Sequence, residues 1–247
     1  MNRTHRIAMC AIAAVMALAL AGCAGVGQGA NGDSSASQQS DSAPQKNETP
    51  GINETTSLDG IVDAITKDFE TTQAAISAGL ESAKAKAGGS YTDYTANSDA
   101  LTSWIDDTQG KTEALIARTS DSAAKYYKLL AQQAPSMDYR DVDDAMKAFY
   151  RAVYDDAFSG FYRAVYTDAY KDVYRTFYDG VMKDAYNVVP YAEASDAQSA
   201  MYRAISDGQS DLYRTISDAQ SDTYRTHSDV ANEFYNKNYD LSKVLDE

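Results

Sequence analysis

Tyrosine is the residue type whose abundance and spacing best suit ligand binding, with 19 copies among 247 residues. A tyrosine ring offers an apolar face for stacking and a hydroxyl for hydrogen bonding, which suits surfaces that bind sugars or proteins. Near the C-terminus one set recurs every eleven residues: Tyr202, Tyr213, Tyr224 and Tyr235. We treat these four residues as a candidate interaction face.

A second series repeats every four residues between positions 149 and 186, in two adjacent rows. The first row is Phe149, Val153, Ala157, Phe161, Val165, Ala169, Val173, Phe177, Val181 and Ala185. The second row is Tyr150, Tyr154, Phe158, Tyr162, Tyr166, Tyr170, Tyr174, Tyr178, Met182 and Tyr186. In an α-helix, four residues overshoot one turn by about 40°, so both rows should wind around the helix. This geometry favours packing over a straight row of binding residues.

The sequence contains no motif typical of a catalytic or metal-binding site. His227 is the one histidine that follows the N-terminal apolar run, and it takes an apolar position of the eleven-residue repeat. Asp141, Asp143 and Asp144 lack the glycine and distal glutamate of a calcium-binding EF-hand loop. No Gly-x-Ser-x-Gly motif or phosphate-binding loop is present. The sequence therefore predicts no enzymatic activity, no metal site and no cofactor.

The N-terminus carries a motif for membrane attachment. Arg3 and Arg6 precede an apolar run over residues 7–20, which is typical of a signal peptide. The following Leu20-Ala21-Gly22-Cys23 resembles the lipobox of bacterial lipoproteins. The resemblance implies cleavage between Gly22 and Cys23 and a diacylglycerol, carrying chains such as palmitate, on the Cys23 sulfur. An ordinary secretory signal peptide, with Cys23 incidental, is the alternative.

The same resemblance implies an exported protein that is anchored to the bacterial cell membrane by lipid, with its folded part outside the cytoplasm. Residues 1–22 would be the signal peptide. Residues 23–55 would be the lipidated cysteine and a disordered tether, since they are rich in Ser, Gly, Ala, Asn and Gln. Cys10 and Cys23 are the only cysteines, so we expect no disulfide bond in the folded part.

Charge narrows the classes of partner. The formal net charge is −14, and cleavage of the signal peptide would also remove Arg3 and Arg6. Such an acidic chain is poorly suited to nucleic acid or to electrostatic binding of anionic lipid. We therefore expect contact with the membrane through lipid on Cys23 alone, and no nucleic-acid partner.

Apolar residues at helical spacing predict an all-α domain over residues 56–247. We expect an elongated bundle or hairpin of about four long amphipathic helices. The first should end at Gly88, and the second should begin at Asn97 or Ser98 and stop at Pro135. The third covers residues 137–190 with twelve-residue repeats, and the fourth carries eleven-residue repeats over residues 200–245, as in some coiled coils. The turn between them should lie near residues 187–191.

Within the eleven-residue repeats, charges four residues apart should pair along the helix. The predicted pairs are Arg203 with Asp207, Arg214 with Asp218, and Arg225 with Asp229.

Together these features predict a lipid-anchored protein of the cell envelope that is structural or interacts with other proteins, as a scaffold or spacer. A protein partner or self-association through the helices would fit that role. The alternative is a lipoprotein that captures an envelope glycan or a small solute on exposed tyrosines. The two hypotheses predict opposite burial of the tyrosine rings.

Overall fold

A computed structural model of the chain describes residues 49–88, 90–237 and 239–240. Within these ranges the protein is all-α and contains no β-strand, which confirms the predicted fold class. The predicted signal peptide, Gly22, Cys23 and most of the tether lie outside the described residues, as does the end of the last repeat region. Four long helices are α1 (Leu58–Lys86), α2 (Tyr94–Gln133), α3 (residues 139–181) and α4 (Tyr191–Asn236).

The four helices form a bundle of two antiparallel hairpins, α1 with α2 and α3 with α4. Helices α1 and α3 run side by side in the same direction, as do α2 and α4. Helices α2 and α3 meet across the centre, where Trp104 packs edge-on against Tyr170 at a centroid distance of 5.2 Å. No helix in the described part of the chain is long and apolar enough to cross a membrane.

The predicted helix ends are largely confirmed, with one error. Ser57 caps α1 by accepting a hydrogen bond from the Gly60 amide, and α2 ends just before Pro135. However, Asn97 lies buried inside α2 rather than at its start. A 3₁₀ turn over Tyr91–Asp93 begins the helix earlier, and the Asn97 amide donates back to the Asp93 carbonyl at 2.9 Å.

A polar contact in the core joins α1 and α2. The Arg118 guanidinium donates two hydrogen bonds to Asp68, at 2.7 and 2.9 Å, and this forked geometry is the strongest form of such a pair. Thr49 donates to the Arg118 carbonyl at 3.1 Å and lies 2.6 Å from the Ser122 hydroxyl. Thr49 and Ile52 are buried, so packing against the bundle extends into the segment that the sequence assigns to the tether.

Helix α3 differs from the other three because it alternates between α and π geometry. Its α-helical parts are Tyr139–Tyr150, Ser159–Phe161 and Tyr170–Val173. Its π-helical parts are Arg151–Phe158, Tyr162–Ala169 and Tyr174–Val181. A π-helix bonds each amide to the carbonyl five residues earlier and is wider than an α-helix. One π segment therefore occurs in each twelve-residue repeat.

This alternation overturns the prediction that the four-residue rows wind around the helix. All ten residues of the row that begins at Phe149 and ends at Ala185 are buried. Such a constant face requires about four residues per turn, which the π segments provide by widening the helix. The sequence interpretation was wrong because it assumed uniform α geometry, with 3.6 residues per turn.

The turn between α3 and α4 falls where the sequence predicts it. A short helical turn, Ala185–Val188, follows α3, and Pro190 precedes the first residue of α4. Gly208 then allows α4 to approach α2 closely, because a Cβ atom there would lie 2.6 Å from a methyl carbon of Ile105. The turn thus joins α4 to α3, and the close approach at Gly208 packs α4 against α2.

Candidate functional site: a tyrosine ladder

Nine tyrosines line the seam between α3 and α4 in three similar groups. We call them the tyrosine ladder: Tyr150, Tyr154 and Tyr224; Tyr162, Tyr166 and Tyr213; Tyr174, Tyr178 and Tyr202. Each group combines two tyrosines of α3, four residues apart, with one tyrosine of α4. The groups follow each other along the bundle because both helices repeat.

The two α3 tyrosines of each group stack on each other with nearly constant geometry. Their ring centroids are 4.7 Å apart in all three groups, and the angle between ring planes is 16°, 20° and 29°. Four residues complete about one turn in this part of α3, so the second ring lies directly above the first. The unusual helix geometry thus creates the stacked pairs.

The α4 tyrosine of each group contacts the stacked pair at an angle. Tyr224 lies 6.0 Å from Tyr154, Tyr213 lies 5.6 Å from Tyr166, and Tyr202 lies 6.0 Å from Tyr178, measured between centroids. Inclined contacts of this kind are favourable for aromatic rings. The same arrangement therefore occurs three times at one interface.

The first tyrosine of each stacked pair has a raised pKa in all three groups. Burial, and secondarily the neighbouring tyrosine of the stack, raise the pKa of Tyr150, Tyr162 and Tyr174 above the ordinary value. These hydroxyls stay protonated at neutral pH and can both donate and accept hydrogen bonds.

Helices with different repeat lengths stay in register along the ladder. If both helices rose 1.5 Å per residue, twelve residues of α3 would outrun eleven residues of α4 by about 1.5 Å in each repeat. A wider helix advances less per residue, so the π segments absorb the extra residue. The three groups can therefore recur at the spacing of α4, about 16.5 Å.

Burial divides the tyrosines into a core set and a surface set. Phe158, Tyr170 and Met182, which follow each other at intervals of twelve in the second row, are buried. The six α3 tyrosines of the ladder are half-buried. Their partners Tyr202, Tyr213 and Tyr224 are 51%, 46% and 50% exposed. The ladder is thus a partly exposed aromatic surface made of three separate groups.

Three of the four predicted interaction residues belong to the ladder, and Tyr235 does not. The Tyr235 hydroxyl donates to the Asp143 carboxylate at 2.6 Å, and its ring packs against Phe234 and Tyr239. The α3 repeats begin too late to place a stacked pair opposite Tyr235.

The chain shows no match to any family model, to any curated protein or to any solved structure.

A shallow groove opens beside the central group of the ladder. Tyr162, Arg163 and Asp168 of α3 line one side, and Tyr213, Ser217 and Gln220 of α4 line the other. The hydroxyl side chains of Ser159 and Thr167, both on α3, complete the lining, which contains no aliphatic side chain. The groove therefore combines aromatic surface with hydroxyl, amide, guanidinium and carboxylate groups.

The residue types at four positions of this groove recur in the other two repeats. The set Tyr162, Arg163, Tyr213 and Ser217 corresponds to Tyr150, Arg151, Tyr224 and Ser228, and to Tyr174, Arg175, Tyr202 and Ser206. All three arginines are exposed, and none forms an ion pair with the described part of the chain. Their guanidinium donors remain available to a ligand.

The arginines of α4 pair differently from the prediction. Arg214 and Arg225 bind Asp211 and Asp222, three residues earlier, rather than the aspartates four residues later. Arg203 donates to the Ser199 carbonyl at 3.2 Å. The predicted pairs are wrong because helical side chains lean toward the N-terminus, so each arginine reaches the preceding turn.

The end of the ladder next to Tyr150 contains His227. Its Nδ1 lies 2.9 Å from the Tyr127 hydroxyl, and its ring packs 4.6 Å from the Tyr150 ring. Burial lowers the pKa of His227, and the nearby Asp143 partly opposes this effect. No cluster of three metal-ligating side chains occurs among the residues that the structure describes.

Sequence reasoning missed the six α3 tyrosines as part of the candidate site. The available signal was the pairing of a twelve-residue repeat with an eleven-residue repeat in the next helix, both headed by Tyr-Arg. Matched copy numbers in adjacent helices predict matched contacts.

Proposed function

We propose that this protein is a non-catalytic interaction protein of the bacterial cell envelope, held at the membrane by lipid on Cys23, which binds an extended partner along the tyrosine ladder. The observation that carries the proposal is the repetition of one partly exposed aromatic group three times in a straight row. A row of equal sites suits a long partner, because each additional contact is intramolecular and strengthens the whole.

Packing alone does not account for the tyrosines of α4. Within the repeats, the core contacts of α4 come from the buried Ile205, Leu212 and Ile216. The tyrosines that follow each leucine or equivalent residue remain about half exposed, so they contribute only part of their surface to stability. Aromatic side chains that stay at the surface in a repeated pattern are typical of binding sites.

The anchor rests on the lipobox resemblance, and the physics of lipidation supports it. One acyl chain binds a membrane only marginally, and two chains together hold a protein stably. A diacylglycerol thioether on Cys23 would supply both chains. The segment that follows would let the bundle reach partners beyond the membrane surface.

A photoreactive amino acid at position 213, in intact cells, tests the interaction face. We expect adducts from position 213, and from positions 202 and 224, because these rings face the partner. Glu70 is the control position, since it is exposed on α1, the helix diagonal to α4. Absence of adducts at all three ladder positions, or equal adducts at position 70, would contradict the proposal.

Metabolic labelling with a palmitate analogue tests the anchor. The native chain should be labelled, and Cys23→Ala should remove the label. The matched control is Cys10→Ala, which changes the only other cysteine and should leave labelling intact. Unchanged labelling of Cys23→Ala would exclude lipid attachment at this residue.

A further inference from the structure

The chemistry of the ladder also specifies the class of partner. This inference rests on the proposed function and deepens it. We infer that the tyrosine ladder binds a linear, uncharged polysaccharide, with one sugar segment lying in the central groove and neighbouring segments lying against the other two tyrosine groups.

The lining of the central groove suits a carbohydrate. A sugar ring presents an apolar C–H face that stacks on an aromatic ring, and hydroxyls on its edge that donate and accept hydrogen bonds. Tyr162 and Tyr213 supply the aromatic surface. Asp168 can accept from a sugar hydroxyl, and Arg163 can donate to one.

A protein partner fits this lining less well. Protein interfaces derive most of their affinity from a few anchors, often Trp, Tyr or Arg, that are fully desolvated in well-packed pockets, whereas Tyr213 is 46% exposed and Arg163 is exposed here. The groove here is shallow, has no aliphatic lining residue and is rimmed by hydroxyl and amide side chains. Such a surface keeps its water and exchanges it readily for the hydroxyls of a sugar.

Charge argues for an uncharged chain. The protein carries a formal net charge of −14, which repels polyanions such as nucleic acids and phosphate-rich polymers. Within the central groove, the one arginine is balanced by the one aspartate. The central groove therefore has no net positive charge that would favour an anionic glycan.

Repetition argues for a polymer rather than for a single small sugar. The three groups recur at the spacing of the α4 repeat, about 16.5 Å. A chain that binds one tyrosine group holds its next segment at high effective concentration beside the neighbouring group. Weak binding at each group then combines into useful affinity only when the ligand is long enough to span them.

Calorimetric titration of the full-length lipidated protein in detergent tests this inference. The probes are length series of β-1,4-linked N-acetylglucosamine, β-1,4-linked glucose and α-1,4-linked glucose oligomers. We expect at least one series to bind, with affinity rising at least tenfold from oligomers that reach one tyrosine group to those that span all three. Triple replacement of Tyr202, Tyr213 and Tyr224 by alanine should abolish binding.

The matched control is Tyr191→Ala, because Tyr191 is on the same helix and is 77% exposed, but lies outside the ladder. It should bind like the native protein. Circular dichroism should show the same helical content in all variants, which separates loss of the site from loss of the fold.

Three results would overturn the inference. The first is that none of the uncharged series binds, and the second is that affinity does not depend on oligomer length. The third is binding that is retained by the triple variant. If no sugar binds while photoreactive position 213 still forms adducts with a protein, the glycan inference fails and the interaction face stands. If position 213 forms no adducts at all, the proposed function itself fails.

Discussion

Helices α3 and α4 form the two sides of one surface by different means. Helix α4 repeats every eleven residues, which is three turns of a nearly ideal α-helix, and it is α-helical throughout Tyr191–Asn236. Helix α3 repeats every twelve residues and includes a π segment in each repeat. Both complete about three turns per repeat, so the twelve-residue repeat behaves as an eleven-residue repeat with one added residue.

The comparison teaches that a change in helix geometry can compensate for a difference in repeat length between two packed helices. With the extra residue in each repeat, α3 averages about four residues per turn. Residues four apart, such as Tyr150 and Tyr154, therefore lie directly above each other and their rings stack. Helix α4 lacks this residue and contributes single tyrosines instead of stacked pairs. One helix thus builds the pairs and the other completes each group.

The largest expected effect comes from matched single-residue deletions. Deletion of the exposed Asp218 in α4 should abolish cooperative folding, because every later residue would turn by about 100° away from its contacts. Deletion of the exposed Thr167 in α3 should be tolerated far better, because the π segment Tyr162–Ala169 can become α-helical. Thermal unfolding followed by circular dichroism compares the two variants.

Substitution controls accompany both deletions. Asp218→Ala and Thr167→Ala should each leave the melting temperature nearly unchanged, since both side chains are exposed. If the Thr167 deletion unfolds the protein as completely as the Asp218 deletion, the interpretation of α3 as an eleven-residue repeat with one added residue is wrong.

The next largest effect separates core from ladder within one repeat. Ile216 is 1% exposed, and Ile216→Ala should lower the free energy of unfolding by about 2–5 kcal/mol. Tyr213→Ala should lower it by only about 1 kcal/mol, since the ring is half exposed and its two inclined aromatic contacts, with Tyr162 and Tyr166, lie at the surface. Urea denaturation measures both values. Equal losses would mean that Tyr213 is a packing residue.

A smaller effect on the free energy of unfolding is expected from replacing one glycine in α4 and one in α3 by alanine. Gly208→Ala in α4 should destabilise the bundle by about 1–3 kcal/mol, because the added methyl would collide with Ile105. Gly160→Ala in α3 meets no atom within 4 Å and should instead stabilise the helix by about 0.5–1 kcal/mol. Chemical denaturation of both variants gives the comparison, and two shifts of the same sign would contradict the close approach at Gly208.

The smallest effect is a pH dependence at the end of the ladder. Burial lowers the pKa of His227 in the folded protein, so below about pH 6.5 the unfolded chain binds the proton more readily. Stability should fall as the pH drops from 7.5 to 5.5. The groups that face the ring are Tyr127, Tyr150 and Asp143, and the carboxylate partly offsets the effect.

His227→Gln keeps a hydrogen-bonding partner for Tyr127 and should lose this pH dependence. Asp143 has a lowered pKa and titrates well below this range, so it does not confound the measurement. An identical pH profile in the variant would show that the dependence comes from another group.

Much of the architecture could be predicted from the sequence. The apolar spacing predicted the four helices, Pro135 marked the end of α2, and the turn before α4 was placed correctly. Three of the four predicted interaction tyrosines lie on the ladder. These predictions succeeded because α-helical periodicity and proline geometry are local properties of the chain.

The α3 half of the site could not be predicted in the same way. A row with a period of four residues winds around an α-helix but stays straight on a helix that contains π segments. The sequence of the segment alone does not determine which of the two helix geometries it adopts. Burial of the row from Phe149 to Ala185 against α1, α2 and α4 favours the straight form. The choice therefore depended on contacts that are distant in sequence.

By itself, the sequence determined the helical class, the two repeat lengths and the placement of tyrosine at the head of each repeat. Only the tertiary structure decided that twelve residues of α3 match eleven residues of α4, and that the tyrosines of both helices meet at the surface. The physical reason is that burying the complete apolar row of α3 compensates for the less favourable π hydrogen bonding, and that compensation exists only when the neighbouring helices are in place.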